Sequence, residues 1–221
     1  MWNDRKNRKD MNEQFEQQIG KVYGEVLTSI DITKPYAVSF DGSQKPFEFF
    51  SAWKIIDETL KDVTEPTFLE IGAYKGLWAI AFFEWCKMNG KQGRYFTVTW
   101  MQHNPANEDL RKVISYYQSE GFVCKLIDEN SQLETTRDLC KKEHDKFDLL
   151  LIDADHRHEG VKKDIELYYP LVGKLLVFHD IRPEPKNDSC GVYQAIVDSN
   201  ITLDHQIVCG ENMMGIGIKH I

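Results

Sequence analysis

The chain has 221 residues, 42% of them hydrophobic and 28% charged, with a formal net charge of −8. That is material for one well-packed domain with at most a small appendage, and the composition excludes a disordered chain. The acidic balance argues against a nucleic-acid backbone as the main partner, because no broad basic excess exists to displace counterions.

The extreme N-terminus carries a short basic cluster, "DRKNRKD", bounded by Asp4 and Asp10. It reads as a frayed, solvated end rather than a phosphate-binding arm. Phe15, Ile19, Val22, Tyr23, Val26, Leu27 and Ile30 then recur at helical spacing and predict an amphipathic helix over residues 10–30. After a turn-rich loop, "DITKPYAVSFDGSQKP", a second helix carries Phe49, Trp53, Ile56 and Leu60 on one face and stops before Pro66. These helices define an extension over residues 1–65, with 1–9 disordered, that serves as a cap or as a contact in a homo-oligomer. The main domain is expected to fill 66–221.

From residue 67 the rhythm changes. Apolar runs at 67–71, 94–100, 122–127, 147–153 and 174–179 alternate with helical patterns, including Leu110, Val113, Ile114 and Tyr117, then Val161, Ile165, Tyr168 and Tyr169. Strands alternating with helices mean βαβ units and a parallel sheet covered on both faces. "FDLLLID" and "KLLVFHD" are almost unbroken apolar stretches, as central strands buried on both sides require. A helix near 191–199 precedes "HQIVC" and "MMGIGIKH", which are expected to close the sheet as an antiparallel hairpin.

Five scattered cysteines, Cys86, Cys124, Cys140, Cys190 and Cys209, form no CxxC pair and suit a reducing compartment. No apolar run is fit for a signal peptide or a membrane span, so the expected location is cytoplasmic, away from membranes.

The stretch "FLEIGAYKG", residues 68–76, runs a strand into a turn bounded by Gly72 and Gly76, with Glu70 at the strand end. In a doubly wound sheet, ligands sit beyond the carboxyl ends of strands, where glycines let them approach the backbone. A glutamate there suits a cationic or hydroxyl-bearing ligand better than a phosphate. The turn by itself also fits a tight strand–helix connection that binds nothing.

Together with "FDLLLIDADHRHEGVKKDIELYYPLV" and "GKLLVFHDI", this stretch resembles the class I S-adenosylmethionine-dependent methyltransferases. The nearest branch carries an "IDxDHxxxxxxxD…HD" signature and is related to metal-dependent sugar and antibiotic O-methyltransferases. The resemblance spans roughly residues 66–218. It implies a Rossmann-like, three-layer α/β fold with a seven-stranded, mostly parallel sheet and a C-terminal antiparallel hairpin. It also implies S-adenosylmethionine as cofactor and a hydroxylated small molecule as substrate.

Residue by residue, the resemblance places Glu70, Gly72 and Gly76 against the cofactor, and Tyr74, inside the turn, is expected to line the same pocket. Where relatives end their second strand with an acidic residue for the ribose, this chain has Trp100, suited to stacking on the adenosine. Where they often have "GDS" after the third strand, it has "ENS", with Asn130 and Ser131 facing the adenine. Asp153 completes the cofactor set.

Asp153, Asp155, His156, His179 and Asp180 end the fourth and fifth strands or follow them directly, so they converge on one rim. Two carboxylates there suit a hard divalent cation, and an imidazole widens the choice beyond Mg²⁺. The resemblance implies Asp153, His179 and Asp180 as its ligands and His156 as the base that deprotonates the substrate hydroxyl. The alternative is that both aspartates merely cap turns. Two rival functions follow: a binding or structural protein that keeps the fold without the cofactor, and a metal-dependent hydrolase.

Overall fold

The computed structural model describes residues 46–104, 106–182, 190–208 and 214–221, with Gln14, Gln17 and Gln18. The helix expected over 10–30 and the disorder expected of 1–9 lie outside this set, those three glutamines apart.

Strands β1 (Thr67–Ile71), β2 (Arg94–Val98), β3 (Val123–Ile127), β4 (Phe147–Ile152) and β5 (Val172–His179) run parallel, joined by helical crossovers. The first four crossover helices are α2 (Leu77–Met88), α3 (Asn107–Ser119), α4 (Glu134–Glu143) and α5 (His158–Tyr168). Then come α6 (Val192–Asp198), β6 (His205–Ile207) and β7 (Ile216–His220). The seven-stranded sheet has the order β3-β2-β1-β4-β5-β7-β6, with β7 antiparallel to both neighbours. The expected closing hairpin is therefore present, its second strand lying inside the first.

β1 and β4 are neighbours whose connections leave in opposite directions across the sheet, so a crevice opens beyond their carboxyl ends. All five residues of β1 are buried, as are Leu149–Ile152 of β4 and Leu175–His179 of β5. Covering both faces of the sheet produces those unbroken apolar runs.

One core holds the helix α1 (Pro46–Leu60), together with α2, α3 and one sheet face; the other packs α5 and α6 on the opposite face. The face of α1 expected to be apolar is buried, and the Trp53 ring lies 5.8 Å from Trp78 and 6.5 Å from Trp85. Lys91 fastens the end of α1: its Nζ donates to the carbonyls of Leu60 (3.3 Å), Lys61 (2.6 Å) and Val63 (2.7 Å). Leu60 is the last residue of the helix and Lys61 and Val63 follow it, so one ammonium gathers the carbonyls where the chain leaves α1. Among the described residues no helix is long and apolar enough to cross a membrane.

Candidate active site

The crevice at the switch point has a volume of about 700 Å³ and draws its walls from the loops after all five parallel strands. Gly72 leaves β1 at φ 90°, and a Cβ on it would come within 2.4 Å of the Asp153 carbonyl oxygen. The glycine is thus required twice, by its left-handed backbone and by the closeness of β4. Ala73 N–H donates to Thr99 Oγ1 (3.1 Å), and Asn104 Nδ2 donates to the Tyr74 carbonyl (2.8 Å). The turn is thereby stapled to the loop after β2. Tyr74 itself has φ 45° and is 42% exposed at the crevice mouth.

Gly76 behaves differently from the expectation. It does not line the crevice; a Cβ there would press on Leu110 and Val113 at 3.2 Å, so its bareness lets α3 pack.

Glu70 lies at the crevice floor, buried, accepting a hydrogen bond from the Tyr95 hydroxyl. Burial pushes its pKa up to about 8 against the lowering effect of Tyr95, with the Asp153 charge adding to the rise. At neutral pH it is a neutral acid, able to donate as well as accept.

Trp100 is 42% exposed and meets the His103 ring edge-on at 4.2 Å. It lines the crevice without filling it. Asn130 turns its side-chain oxygen onto its own backbone, accepting from Gln132 N–H (3.0 Å), and the Ser131 carbonyl accepts from the Tyr168 hydroxyl (2.8 Å).

The side chains at the ends of the fourth and fifth strands lie close together, with His156 on the open side and His179 on the buried side. Asp153 Oδ1 lies 3.3 Å from His156 Nε2 and 3.1 Å from His179 Nδ1. Asp180 Oδ2 lies 3.2 Å from His156 Nδ1, and its Oδ1 lies 3.0 Å from His179 Nδ1. Despite that last distance, Asp180 Oδ1 has no aligned hydrogen bond, and His179 Nε2 has none either. Ligand atoms of Asp153, His156 and Asp180 all lie within 4.8 Å of one another, the spread a cation site needs. His179, expected as the imidazole ligand, is almost wholly buried beneath the two carboxylates, while His156 presents a side chain 39% exposed to the crevice.

Charge follows geometry. Burial works against ionising Asp153, but the His179 charge and the His156 hydrogen bond bring its pKa below the ordinary value. Burial raises Asp180, against the His179 charge. Burial also opposes a charged His179, yet Asp153 and then Asp180 carry its pKa up to about 9; the Asp153 hydrogen bond raises His156.

The family described as "Methyltransferase domain" matches residues 69–181, from β1 through the end of β5. The chain belongs to this methyltransferase family. The matched span of the methyltransferase contains both the glycine turn and the Asp153–Asp180 cluster, whereas α1, β6 and β7 lie outside it. Among curated proteins none matches the chain.

Solved structures share the fold. The SAH-bound methyltransferase PaMTH1 of Podospora anserina is 16% identical with a TM-score of 0.57, over 96% of this chain and 94% of its own. CalS11, a TDP-rhamnose 3'-O-methyltransferase of calicheamicin biosynthesis, is 13% identical with a TM-score of 0.57, over 93% and 94%. MycE of mycinamycin biosynthesis, solved with Mg, SAH and mycinamycin VI, is 14% identical with a TM-score of 0.51, over 90% of this chain and 54% of its own.

Several wall residues of this methyltransferase carry no sequence signal. Thr99, Asn104 and Gln132 sit in loops without a motif, and His103, with no motif of its own, reads from sequence as a surface or packing residue. Asp155 is held by Arg157, whose Nη2 donates at 2.6 Å, and by Gln132 Nε2 at 3.1 Å. His158, the first residue of α5, bridges Glu159 and Asp198 at 2.9 Å each.

Proposed function

We propose that the chain transfers a methyl group from S-adenosylmethionine to a hydroxyl of a small molecule, with sugars the leading class, assisted by a divalent cation. The observation that carries this reading is the crevice itself. A bare glycine turn, aromatic side chains and a neutral buried acid face a wall where two carboxylates and an imidazole converge. The family supports methyl transfer, and the named relatives support a sugar-bearing acceptor and Mg²⁺.

In this reading Gly72 and Tyr74 would hold the donor, and Trp100 with the Asn130–Ser131 loop would hold its nucleoside. Glu70 offers a neutral carboxyl to the ribose or amino-acid portion. Asp153 and Asp180 would hold the cation beside His156, a fit supported by the buried Asp180 Oδ1 that lacks an aligned partner. When bound, a divalent cation supplies charge that lowers the pKa of a substrate hydroxyl. His156, the exposed imidazole, takes the hydroxyl proton; the oxygen attacks the sulfonium methyl, the carbon–sulfur bond breaks, and S-adenosylhomocysteine leaves. His179 lies under both carboxylates and fixes their directions. Holding oxygen and methyl in line at contact distance supplies much of the acceleration.

The scattered thiols fit a cytoplasmic setting; burial pushes Cys124 and Cys140 up to about 12, so both stay protonated. Calorimetric titration with S-adenosylmethionine and S-adenosylhomocysteine, followed by labelled-methyl transfer to a panel of sugars and glycosides, tests the proposal. Binding of both nucleosides and label in an ether product are expected. Folded protein that binds neither would overturn it.

A further inference from the structure

The acid at the crevice floor is held by a residue that does not itself line the crevice. Glu70 and Tyr95 are both buried, on neighbouring strands β1 and β2, and the Tyr95 hydroxyl donates to Glu70 Oε2 at 2.5 Å. The strand register pairs Glu70 with Thr97 and Phe68 with Tyr95. Tyr95 and Thr97, two residues apart, point to the same face of the sheet. The small Thr97 side chain opposite Glu70 leaves room for the Tyr95 hydroxyl to reach the carboxyl along the diagonal. Phe68 and Phe83 meet the Tyr95 ring edge-on at 5.3 and 5.9 Å, so packing aims the hydroxyl.

A second pair of the same kind shows what is particular about the first. Tyr117 donates to Glu84 Oε1 at 2.9 Å, again with both residues buried. Those two side chains tie α2 to α3, and neither lines the crevice. There the bond satisfies a carboxyl inside helix packing. Glu70 lines the crevice and Tyr95 does not, so Tyr95 occupies one oxygen from behind and leaves Oε1 for a molecule in front. Glu70 is a neutral acid at neutral pH, and with Oε2 accepting, its proton belongs to Oε1.

We infer that Tyr95 is a positioning residue: by donating to Oε2 it fixes the Glu70 carboxyl at the crevice floor and presents Oε1 to the bound molecule. In the methyl-transfer reading, on which the inference rests only where a donor is named, Oε1 gives a hydrogen bond to an oxygen of the donor's ribose or amino-acid portion. Without the Tyr95 hydroxyl the carboxyl can turn, and binding must then order it at a cost in affinity.

The test sets Tyr95→Phe beside Tyr117→Phe. Each removes one hydroxyl from a buried tyrosine–glutamate pair and keeps the ring, so their losses of urea stability should be alike. Infrared difference spectra at mildly acidic pH locate the C=O stretch of protonated Glu70 as the band missing from Glu70→Gln. That band should move to higher frequency in Tyr95→Phe, as a carbonyl that loses a donor does, and hold its place in Tyr117→Phe. S-adenosylhomocysteine affinity, read by calorimetry, should fall about 10-fold in Tyr95→Phe, the scale for partners that orient a contacting group, and stay at the wild-type value in Tyr117→Phe. In a Glu70→Ala background, with no carboxyl left to orient, Tyr95→Phe should cost no further affinity. An unmoved band in Tyr95→Phe, an affinity no lower than that of Tyr117→Phe, or an undiminished further loss in the Glu70→Ala background would overturn the inference. If Tyr95→Phe does not fold, proton resonance of the wild type decides it: a slowly exchanging Tyr95 hydroxyl proton, lost in Glu70→Ala, is expected, and its absence would overturn the inference. If wild type binds no nucleoside, the methyl-transfer reading fails, while the infrared band still decides the role of Tyr95.

Discussion

Gly72 lies so close to Asp153 that a single added carbon would sit 2.4 Å from the aspartate's carbonyl oxygen. The first and fourth strands thus separate only just beyond this contact, and the crevice begins where they part. Gly72→Ala adds that clash to the cost of a left-handed backbone. It is expected to lose about 2–4 kcal/mol of stability in urea denaturation, with donor binding reduced beyond what the lost stability explains.

Glu70 keeps its proton in the folded chain, with a pKa of about 8 against 4.5 for the free side chain. The fold therefore binds a proton that the unfolded chain releases, so this group's stabilising contribution is full below about pH 4.5 and is lost as pH rises toward 8. The swing is at most about 5 kcal/mol. Glu70→Gln keeps the bond to Tyr95 and should flatten the fall of urea stability between pH 5 and 8. What slope remains belongs to Asp164 below about pH 7, to His179 up to about pH 9, and to Asp180, His156 and His158, whose pKa values are also raised.

His156 is the imidazole that can reach both the two carboxylates and a molecule in the crevice. His156→Ala should lower turnover by about 10²–10⁴-fold, the range for loss of a general base, while donor affinity measured by calorimetry changes little.

Asp180 adopts φ 59°, a conformation asparagine also tolerates, so Asp180→Asn should fold normally. Losing one carboxylate charge should weaken Mn²⁺ binding, read by electron paramagnetic resonance, by about 10-fold or more.

Lys91→Met removes three hydrogen bonds from the end of α1. Urea denaturation should report a loss of about 1–3 kcal/mol, with activity at low temperature retained because neither Lys91 nor any residue of α1 lines the crevice.

β4 and β5 are plain in the sequence because burial on both faces removes every polar alternation. The convergence of Asp153 and Asp180 follows from the same fact, since adjacent parallel strands end on one rim. α4 leaves no such trace: of its ten residues only Thr136 and Cys140 are buried, so no apolar stripe marks it. Gly76 misleads because a missing side chain looks alike in sequence whether it admits a ligand or a helix. That His156 lies on the open side of the two carboxylates and His179 on the buried side is set by the fold of the loop after β4, which residue spacing does not encode. Asp164, fully buried on α5, shows the same blindness, since a mid-helix aspartate reads as solvated unless its neighbours on the folded face are known.

The inversion of β7 and β6 also bears on synthesis. β6 touches the sheet only through β7, so the eight residues from Val208 to Gly215, and then β7 itself, must clear the ribosome before either strand finds a partner. Until then a five-stranded intermediate presents β5 as a naked, strongly apolar border, the kind of edge on which nascent chains stick to one another. Slow codons just ahead of Ile216 should therefore lower soluble yield, and fast ones raise it, without altering a single residue.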